Sequence, residues 1–239
     1  MVPMDKDALR TRVWDAIEDS GEARFPFPPH GRIPNFAGAD AAAERLVGLD
    51  EWATAETLKA NPDAPQLPVR RAALDASRTV FMAVPRLRDE RCFYRLDPAD
   101  LADPDAAATV SGVDDHADRV GPDAVDRIDL VVAGSVAVSP DGARVGKGEG
   151  YSDLEFAVLS ELGLVDAQTT VVTTVHELQV HEDIPVDAHD VPIDVVVTPE
   201  RVIRTETAQE RPDGIDWDEL DDERIAEIPV LDAFVPDDE

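Results

Sequence analysis

The sequence predicts an α/β protein whose single, mostly parallel sheet is covered by helices on both faces. The first observation is a set of short apolar segments rich in β-branched residues, the pattern of strands buried on both faces. Three of them are Thr79–Val84, Ile128–Val138 and Thr169–Val175. The second observation is that helical patterns separate these segments, and such alternation favours parallel pairing in a three-layer arrangement.

The N-terminal part is predicted to hold two helices joined by a rigid loop. Apolar residues recur at helical spacing in Asp5–Ser20, and a second helix is expected at Ala39–Leu49. Between them, Phe25–Asn35 contains several prolines, each of which biases the preceding residue away from helix. Ala53–Lys59 is interpreted as a short strand or the end of the helical region, and Asn61–Gln66 as a turn-rich loop.

The middle of the chain is predicted to continue the alternation. A helix at Pro68–Ser77 leads into the strand Thr79–Val84, and the polar stretch Leu87–Asp126 is interpreted as an excursion at the sheet edge. Ile128–Val138 is then expected as one long strand, and Leu154–Leu162 as a helix.

The C-terminal part is expected to contain two further strands and a tail. The strands are Ile193–Thr198 and Arg201–Arg204. The domain prediction is one α/β domain over residues 1–204 and an acidic tail over 205–239, partly disordered or docked, because acidic residues dominate there. Ile225–Val235 is the piece of the tail expected to dock.

The charge balance excludes some classes of partner. The chain has 52 acidic and 22 basic residues, a net charge of −30, which opposes binding to nucleic acid. Either the acidity serves a specific function, or it keeps a hydrated surface soluble at high salt, where the Debye length is about 3 Å. The spread of the acids along the chain favours the second. With no long apolar run and no apolar leader, we expect a cytoplasmic, high-salt protein without a membrane partner, as a monomer or small homo-oligomer.

A glycine-rich segment, Asp141–Asp153, lies between a predicted strand and a predicted helix, where ligands bind in open α/β sheets. Gly146, Gly148 and Gly150 allow the main chain to approach a ligand closely. Their amides and the N-terminus of the following helix favour an anion.

Charged side chains flank these glycines. Arg144 and Lys147 supply the positive charge that a phosphate requires in so acidic a protein, and Asp153 is a candidate magnesium ligand beside a nucleotide. The alternative is a plain glycine turn in which Asp153 caps the helix. Neither of the two general nucleotide-binding motifs matches this segment.

Three pieces of the chain, in order, resemble the 5-formyltetrahydrofolate cyclo-ligase family. Lys6-Asp-Ala-Leu-Arg10 is similar to its N-terminal motif. The apolar strand followed by Arg144-Val-Gly-Lys-Gly-Glu-Gly-Tyr-Ser-Asp153 resembles its signature, and Val186-Asp-Ala-His-Asp190 with Ile193–Val197 resembles its closing segment. The resemblance implies the fold shared with ribose-phosphate isomerases and coenzyme A transferases. It also implies ATP- and Mg²⁺-dependent closure of 5-formyltetrahydrofolate to 5,10-methenyltetrahydrofolate.

The resemblance assigns expected roles to individual residues. Lys6 and Arg10 would reach the ATP phosphates, and Arg144 and Lys147 would act in catalysis. Asp153 and Asp190 would be the magnesium ligands. The residues expected around ATP are Lys6, Arg10, Arg144, Gly146, Lys147, Gly148, Glu149, Gly150 and Tyr151.

Two residues depart from the usual signature. Glu149 replaces a glycine or a basic residue, and Ser152 replaces a tyrosine. The segment ending in Asp153-Leu-Glu155, like His30–Phe36 and Asn61–Gln66, looks more like the divergent branch called methenyltetrahydrofolate synthase domain-containing proteins. The alternative function is therefore a member without cyclo-ligase activity that binds a nucleotide or another phosphate-bearing ligand. A third is an acidic interaction module.

Other polar residues receive weaker predictions. Arg32 is a candidate for binding a phosphate or a folate carboxylate, provided that its loop folds over the glycines. His176 and His181 are spaced by five, which places them on different faces of a strand or helix and disfavours zinc. Glu155 is interpreted as a helix-face residue.

Overall fold

The computed structural model describes residues 5–234 and consists of strands and helices in alternation. The helices are α1 Lys6–Asp19, α2 Ala39–Val47, α3 Asp50–Thr54, α4 Leu67–Asp75, α5 Pro104–Ala107, α6 Val113–His116, α7 Tyr151–Glu161 and α8 Asp222–Glu227. The strands are β1 Thr57–Ala60, β2 Thr79–Ala83, β3 Phe93–Leu96, β4 Asp118–Val120, β5 Leu130–Val132, β6 Ala137–Val138, β7 Arg144–Val145, β8 Thr170–Thr174, β9 Val195–Val197 and β10 Val202–Arg204.

In this part of the chain, eight strands form the central sheet in the order β10-β9-β8-β5-β1-β2-β3-β4. The five inner strands, from β9 to β2, pair in parallel, whereas β10, β3 and β4 pair antiparallel at the two edges. The prediction of a mostly parallel sheet is therefore confirmed. The stretch interpreted as an excursion contributes the two strands of one edge.

The two faces of the sheet bury different partners, as the side-chain alternation of a strand requires. On one face, Leu58 and Ala60 of β1 pack in a core with residues of α2 and α4. On the other face, Phe81 of β2 and Val131 of β5 pack with α7. Helices thus cover both faces, which confirms the three-layer arrangement.

The prediction of one long strand at Ile128–Val138 is wrong. The sheet strand β5 ends at Val132, and the chain then leaves the sheet to form an antiparallel hairpin of β6 and β7. Gly134 lies at the break, where a Cβ would come within 2.9 Å of the Asp63 carboxylate. The close approach needed there explains the glycine and places the hairpin beside the ends of the parallel strands.

Helix α7 begins three residues earlier than predicted. Its N-cap is Gly150 in the left-handed conformation, with no side-chain cap. Asp153 therefore lies inside the first turn and does not cap the helix. The early start brings the glycine loop directly to the helix N-terminus.

Residues 205–234 lie against the α7 face. Ile228 and Leu231 are fully buried in the same core as Phe156 of α7. Arg211 donates a 2.6 Å hydrogen bond to the Thr169 carbonyl and pairs with Asp194. The last residues of the predicted tail, 235–239, lie outside the described residues. Among the helices of residues 5–234, none has the length and apolar character needed to cross a membrane.

Candidate functional site

A cleft of about 730 Å³ opens where several loops converge at the ends of the parallel strands. The loops after β1, β2 and β5 contribute Asn61, Arg86 and Gly134, and the glycine loop contributes its whole length. Arg32, from the proline-containing loop, also lines the cleft. Clefts at this edge of an open parallel sheet are where such folds bind ligands.

The glycine loop, residues 146–150, presents unused main-chain donors. Gly148 and Gly150 have φ values of 106° and 69°, which side-chain-bearing residues rarely adopt. Across residues 5–234, no protein acceptor takes the amide N–H of any loop residue. The first amides of α7 lack a side-chain cap as well. Together these amides are available to donate to an anion, which is the chemistry predicted for this loop.

Arg144 is buried at the base of this loop. Its guanidinium pairs with Asp153 and donates a 3.1 Å hydrogen bond to the Gly134 carbonyl. The Asp153 carboxylate also accepts from the Val191 amide at 3.1 Å. Burial opposes ionisation of Asp153, but the neighbouring guanidinium lowers its pKa below the ordinary value. Arg144 therefore holds the loop base, and its charge is largely balanced by Asp153.

Lys147 and Glu149 form an ion pair within the loop. Lys147 Nζ lies 2.7 Å from a Glu149 carboxylate oxygen, and Arg86 lies 3.7 Å from the other oxygen. The hydrogen bond from Lys147 holds the pKa of Glu149 below its usual range. Both side chains are more than a third exposed, so the pair is solvated and can exchange partners.

Two aspartates and a histidine form a cluster of possible metal ligands that lines the same cleft. The atoms of Asp187, His189 and Asp190 that could ligate a metal lie within 4.8 Å of one another, a spacing compatible with a shared ion. Lys6 contacts this cluster, with Nζ at 2.5 Å from Asp190 and 2.7 Å from Asp187. Asp153, the other predicted magnesium ligand, is not among these residues and pairs with Arg144 instead. The structure thus brings Lys6 and Asp190 together in the cleft.

The remaining predicted residues contact the ends of the glycine loop. Arg10 Nε donates a 2.8 Å hydrogen bond to the Gly146 carbonyl, and Arg10 also pairs with Asp7. Tyr151, the first residue of α7, lies under the guanidinium of Arg224, 3.8 Å from the ring centroid. Arg224 belongs to the C-terminal segment and was not predicted as a site residue.

Lys59 and Glu155 form a buried ion pair beneath the cleft that sequence analysis missed. Lys59 Nζ donates to Glu155 at 2.7 Å and to the Asn61 side chain at 2.6 Å. Burial raises the pKa of Glu155 despite this lysine. Glu155 lies on a helix, as predicted, but α7 turns this position toward β1, where the side chain is buried. The sequence contains only three lysines, and this scarcity is a signal that could have drawn attention to Lys59.

Motifs that resemble the divergent branch of the family also contribute residues to the cleft. Asn61 donates a 3.3 Å hydrogen bond to the Ser152 hydroxyl. Asp63 also lines the cleft, and burial raises its pKa despite Lys147 nearby. Away from the cleft, His176 accepts a hydrogen bond from the Leu178 amide and caps a short 3₁₀ turn.

Comparisons with known proteins agree with this architecture. Residues 4–199 match the profile of the 5-formyltetrahydrofolate cyclo-ligase family. The chain is 44% identical over 234 residues to the methenyltetrahydrofolate synthase domain-containing protein of Mus musculus, covering 95% of this chain and 62% of that one. The human protein of the same name is 40% identical over 236 residues, covering 96% and 61%. The chain thus spans about six tenths of the length of these relatives.

A solved structure shares the fold. The 5,10-methenyltetrahydrofolate synthetase of Aquifex aeolicus superposes with a TM-score of 0.55 at 21% identity, covering 86% of this chain and 95% of that one. The signature loop, the parallel sheet and the profile match therefore lead to one assignment. The chain belongs to the 5-formyltetrahydrofolate cyclo-ligase family.

Proposed function

We propose that the chain catalyses the ATP-dependent closure of 5-formyltetrahydrofolate to 5,10-methenyltetrahydrofolate. The observation that carries this proposal is the glycine loop, whose amides have no acceptor within residues 5–234 and lie beside Arg144 and Lys147. A triphosphate needs such an array of donors and fixed positive charge. The family membership supplies the folate half of the proposal.

The reaction divides into two steps. The formyl oxygen attacks the γ-phosphorus of ATP and ADP leaves. The folate N10 then attacks the activated formyl carbon, phosphate leaves with the former formyl oxygen, and the N10 proton is lost. Lys147 and the loop amides would hold the transferring phosphoryl group, and Arg10 and Arg144 would fix the loop around it. Catalysis here is mainly positioning and neutralisation of charge.

The acidic wall of the cleft fits a magnesium ion. Asp187 and Asp190 offer the carboxylate oxygens that Mg²⁺ prefers, and His189 completes the cluster. When bound, the ion would neutralise charge on the phosphates. Lys6 already provides a positive charge among these carboxylates and would move toward the phosphates when a metal takes its place.

The test is product formation by the purified protein in molar potassium chloride. We expect ATP and 5-formyltetrahydrofolate together to produce the near-ultraviolet absorbance of the methenyl product, and neither alone to do so. Lys147→Ala should slow the reaction. Arg127→Ala, which removes an exposed pair with Asp166 outside the cleft lining, is the matched control and should not slow it. Absence of product from wild-type protein that binds ATP would refute the activity.

One observation favours a second function. Glu149 already supplies an anion to Lys147, so this lysine binds a phosphate only by giving up that carboxylate. A family member that binds a nucleotide or other phosphate-bearing ligand without cyclising folate would retain the loop and differ at this residue. A thermal-shift panel of ATP, folates and sugar phosphates separates the two, because a ligand at 100 times its Kd stabilises by about 2.7 kcal/mol.

A further inference from the structure

The C-terminal segment 221–231 contacts the glycine loop through Arg224. Arg224 donates a 2.6 Å hydrogen bond to the Glu149 carbonyl, and its guanidinium lies 3.8 Å from the Tyr151 ring centroid. One side chain thus holds both the end of the loop and the first residue of α7. Both contacts come from a cation, which donates to the carbonyl oxygen and lies over the electron-rich face of the ring.

The carbonyl contact also sets the direction of an amide. In a trans peptide the C=O and the next N–H point to opposite sides. Holding the Glu149 carbonyl toward Arg224 therefore turns the Gly150 N–H away from it. Arg224 lines a separate cavity of about 900 Å³ behind the loop, whereas Lys147 and Arg144 line the cleft in front. The Gly150 amide is thereby directed to the side where we propose that phosphate binds.

The segment that carries Arg224 is itself firmly attached. Asp221 caps α8 by accepting the Arg224 amide at 2.7 Å. Ile228 and Leu231, which follow α8, are fully buried in the core that contains α7. Glu227 lies 3.4 Å from Arg88, in the turn after β2 that also carries Arg86. The segment therefore contacts both the glycine loop and the turn after β2, and each of these contributes residues to the cleft.

We propose that Arg224 is a positioning residue for the glycine loop, so that residues 221–231 complete the phosphate site. These residues lie beyond the 4–199 range that matches the family profile. The inference rests on the proposed function for its nucleotide, but the ordering of the loop does not depend on any ligand. Arg10, which holds the Gly146 carbonyl at 2.8 Å, would secure the opposite end of the loop.

The test uses Arg224→Ala and Arg224→Lys in the full chain, with Arg211→Ala as the control. Arg211 also anchors the C-terminal segment, but it does so through Asp194 and the Thr169 carbonyl, and it does not line the cleft. Two quantities are measured: the NMR order parameters of the Gly148 and Gly150 amides without ligand, and the Kd for ATP by calorimetry.

Arg224→Ala should lower both order parameters and weaken ATP binding about tenfold, the size expected for losing a hydrogen bond from a charged group. Arg224→Lys keeps a cation over the ring and should recover part of both. Arg211→Ala should lower the melting temperature and leave the loop amides unchanged. Unchanged order parameters in Arg224→Ala, or an equal loss in Arg211→Ala, would overturn the proposal. If wild-type protein fails to bind ATP, the proposed function fails, while the order parameters still decide the role of Arg224.

Discussion

The two faces of the central sheet differ in what they bury. On the α2–α4 face, Leu58 and Ala60 of β1 meet apolar side chains. On the α7 face, the residue between them, Lys59, meets Glu155. The α2–α4 side also buries a charge, Arg70, but the carbonyls of the main chain satisfy it. The difference teaches that both faces bury apolar side chains, whereas the α7 face also holds a buried ion pair between two side chains beneath the cleft.

The second buried ion pair lies on the cleft side as well. Arg144 and Asp153 are both largely withdrawn from water at the base of the glycine loop. Buried ion pairs contribute little net stability relative to apolar replacements, although breaking one is costly. Their concentration beneath the cleft therefore indicates a role in fixing geometry. Variants on the two faces should separate stability from binding.

The largest effect is expected from Glu155→Leu, which leaves the Lys59 ammonium buried without its partner. The free energy of unfolding should fall by about 3–5 kcal/mol, measured by urea denaturation at high salt. The double variant Lys59→Met/Glu155→Leu replaces the pair with apolar groups and should recover most of that loss. If the double variant is as unstable as the single one, the unpaired Lys59 ammonium is not the cause of the lost stability.

A somewhat smaller effect is expected on the other face. Leu58→Ala creates a cavity in the α2–α4 core and should cost about 3 kcal/mol of unfolding free energy. Because Leu58 itself does not line the cleft, the Kd for ATP of the folded protein should not change. A weakened Kd at a temperature where the variant is fully folded would contradict the separation of the two faces.

The pH dependence of stability should distinguish Asp153. Its folded-state pKa lies below the ordinary value of 3.8, because Arg144 outweighs the effect of burial. Its contribution is therefore fully present above that value and is lost as the pH falls through the folded-state pKa. Asp153→Asn should be less stable at neutral pH, and its difference from wild type should shrink on acidification. Denaturant unfolding of both proteins from neutral to acidic pH measures this difference; a constant difference would contradict it.

The smallest effect is expected from Glu149→Gln. The substitution removes the carboxylate that competes with phosphate for Lys147 and should tighten ATP binding by about two- to fivefold, the size of a solvated ion pair. Calorimetry measures the change, and Glu182→Gln, outside the lining of the cleft, is the control. Weaker binding would mean that Glu149 assists the ligand.

The sequence predicted the order of elements because apolar runs and helical periods are local signals. It failed where long-range contacts decide. Ile128–Val138 is mostly apolar, yet Gly134 allows the chain to leave the sheet and approach Asp63. No periodicity within that segment distinguishes a bent path from a straight strand.

The candidate site was predictable only where its residues are close together in the sequence. Arg144 and the glycines form a contiguous pattern, so their proximity follows from sequence. The partners of buried charges cannot be predicted in this way. Glu155 meets Lys59, which is distant in the chain, only after β1 and α7 pack together. Arg224 lies farther still, in a segment whose acidity suggested a tail.

The central claim is that the amides of the glycine loop and of the α7 N-terminus bind phosphate. A titration of isotope-labelled protein with Mg²⁺-ATP at high salt, followed by amide chemical shifts, tests it directly. We expect the largest shifts at residues 146–153, saturating with a single Kd that is weakened in Lys147→Ala. Saturation at a different surface, with these amides unmoved, would contradict the account.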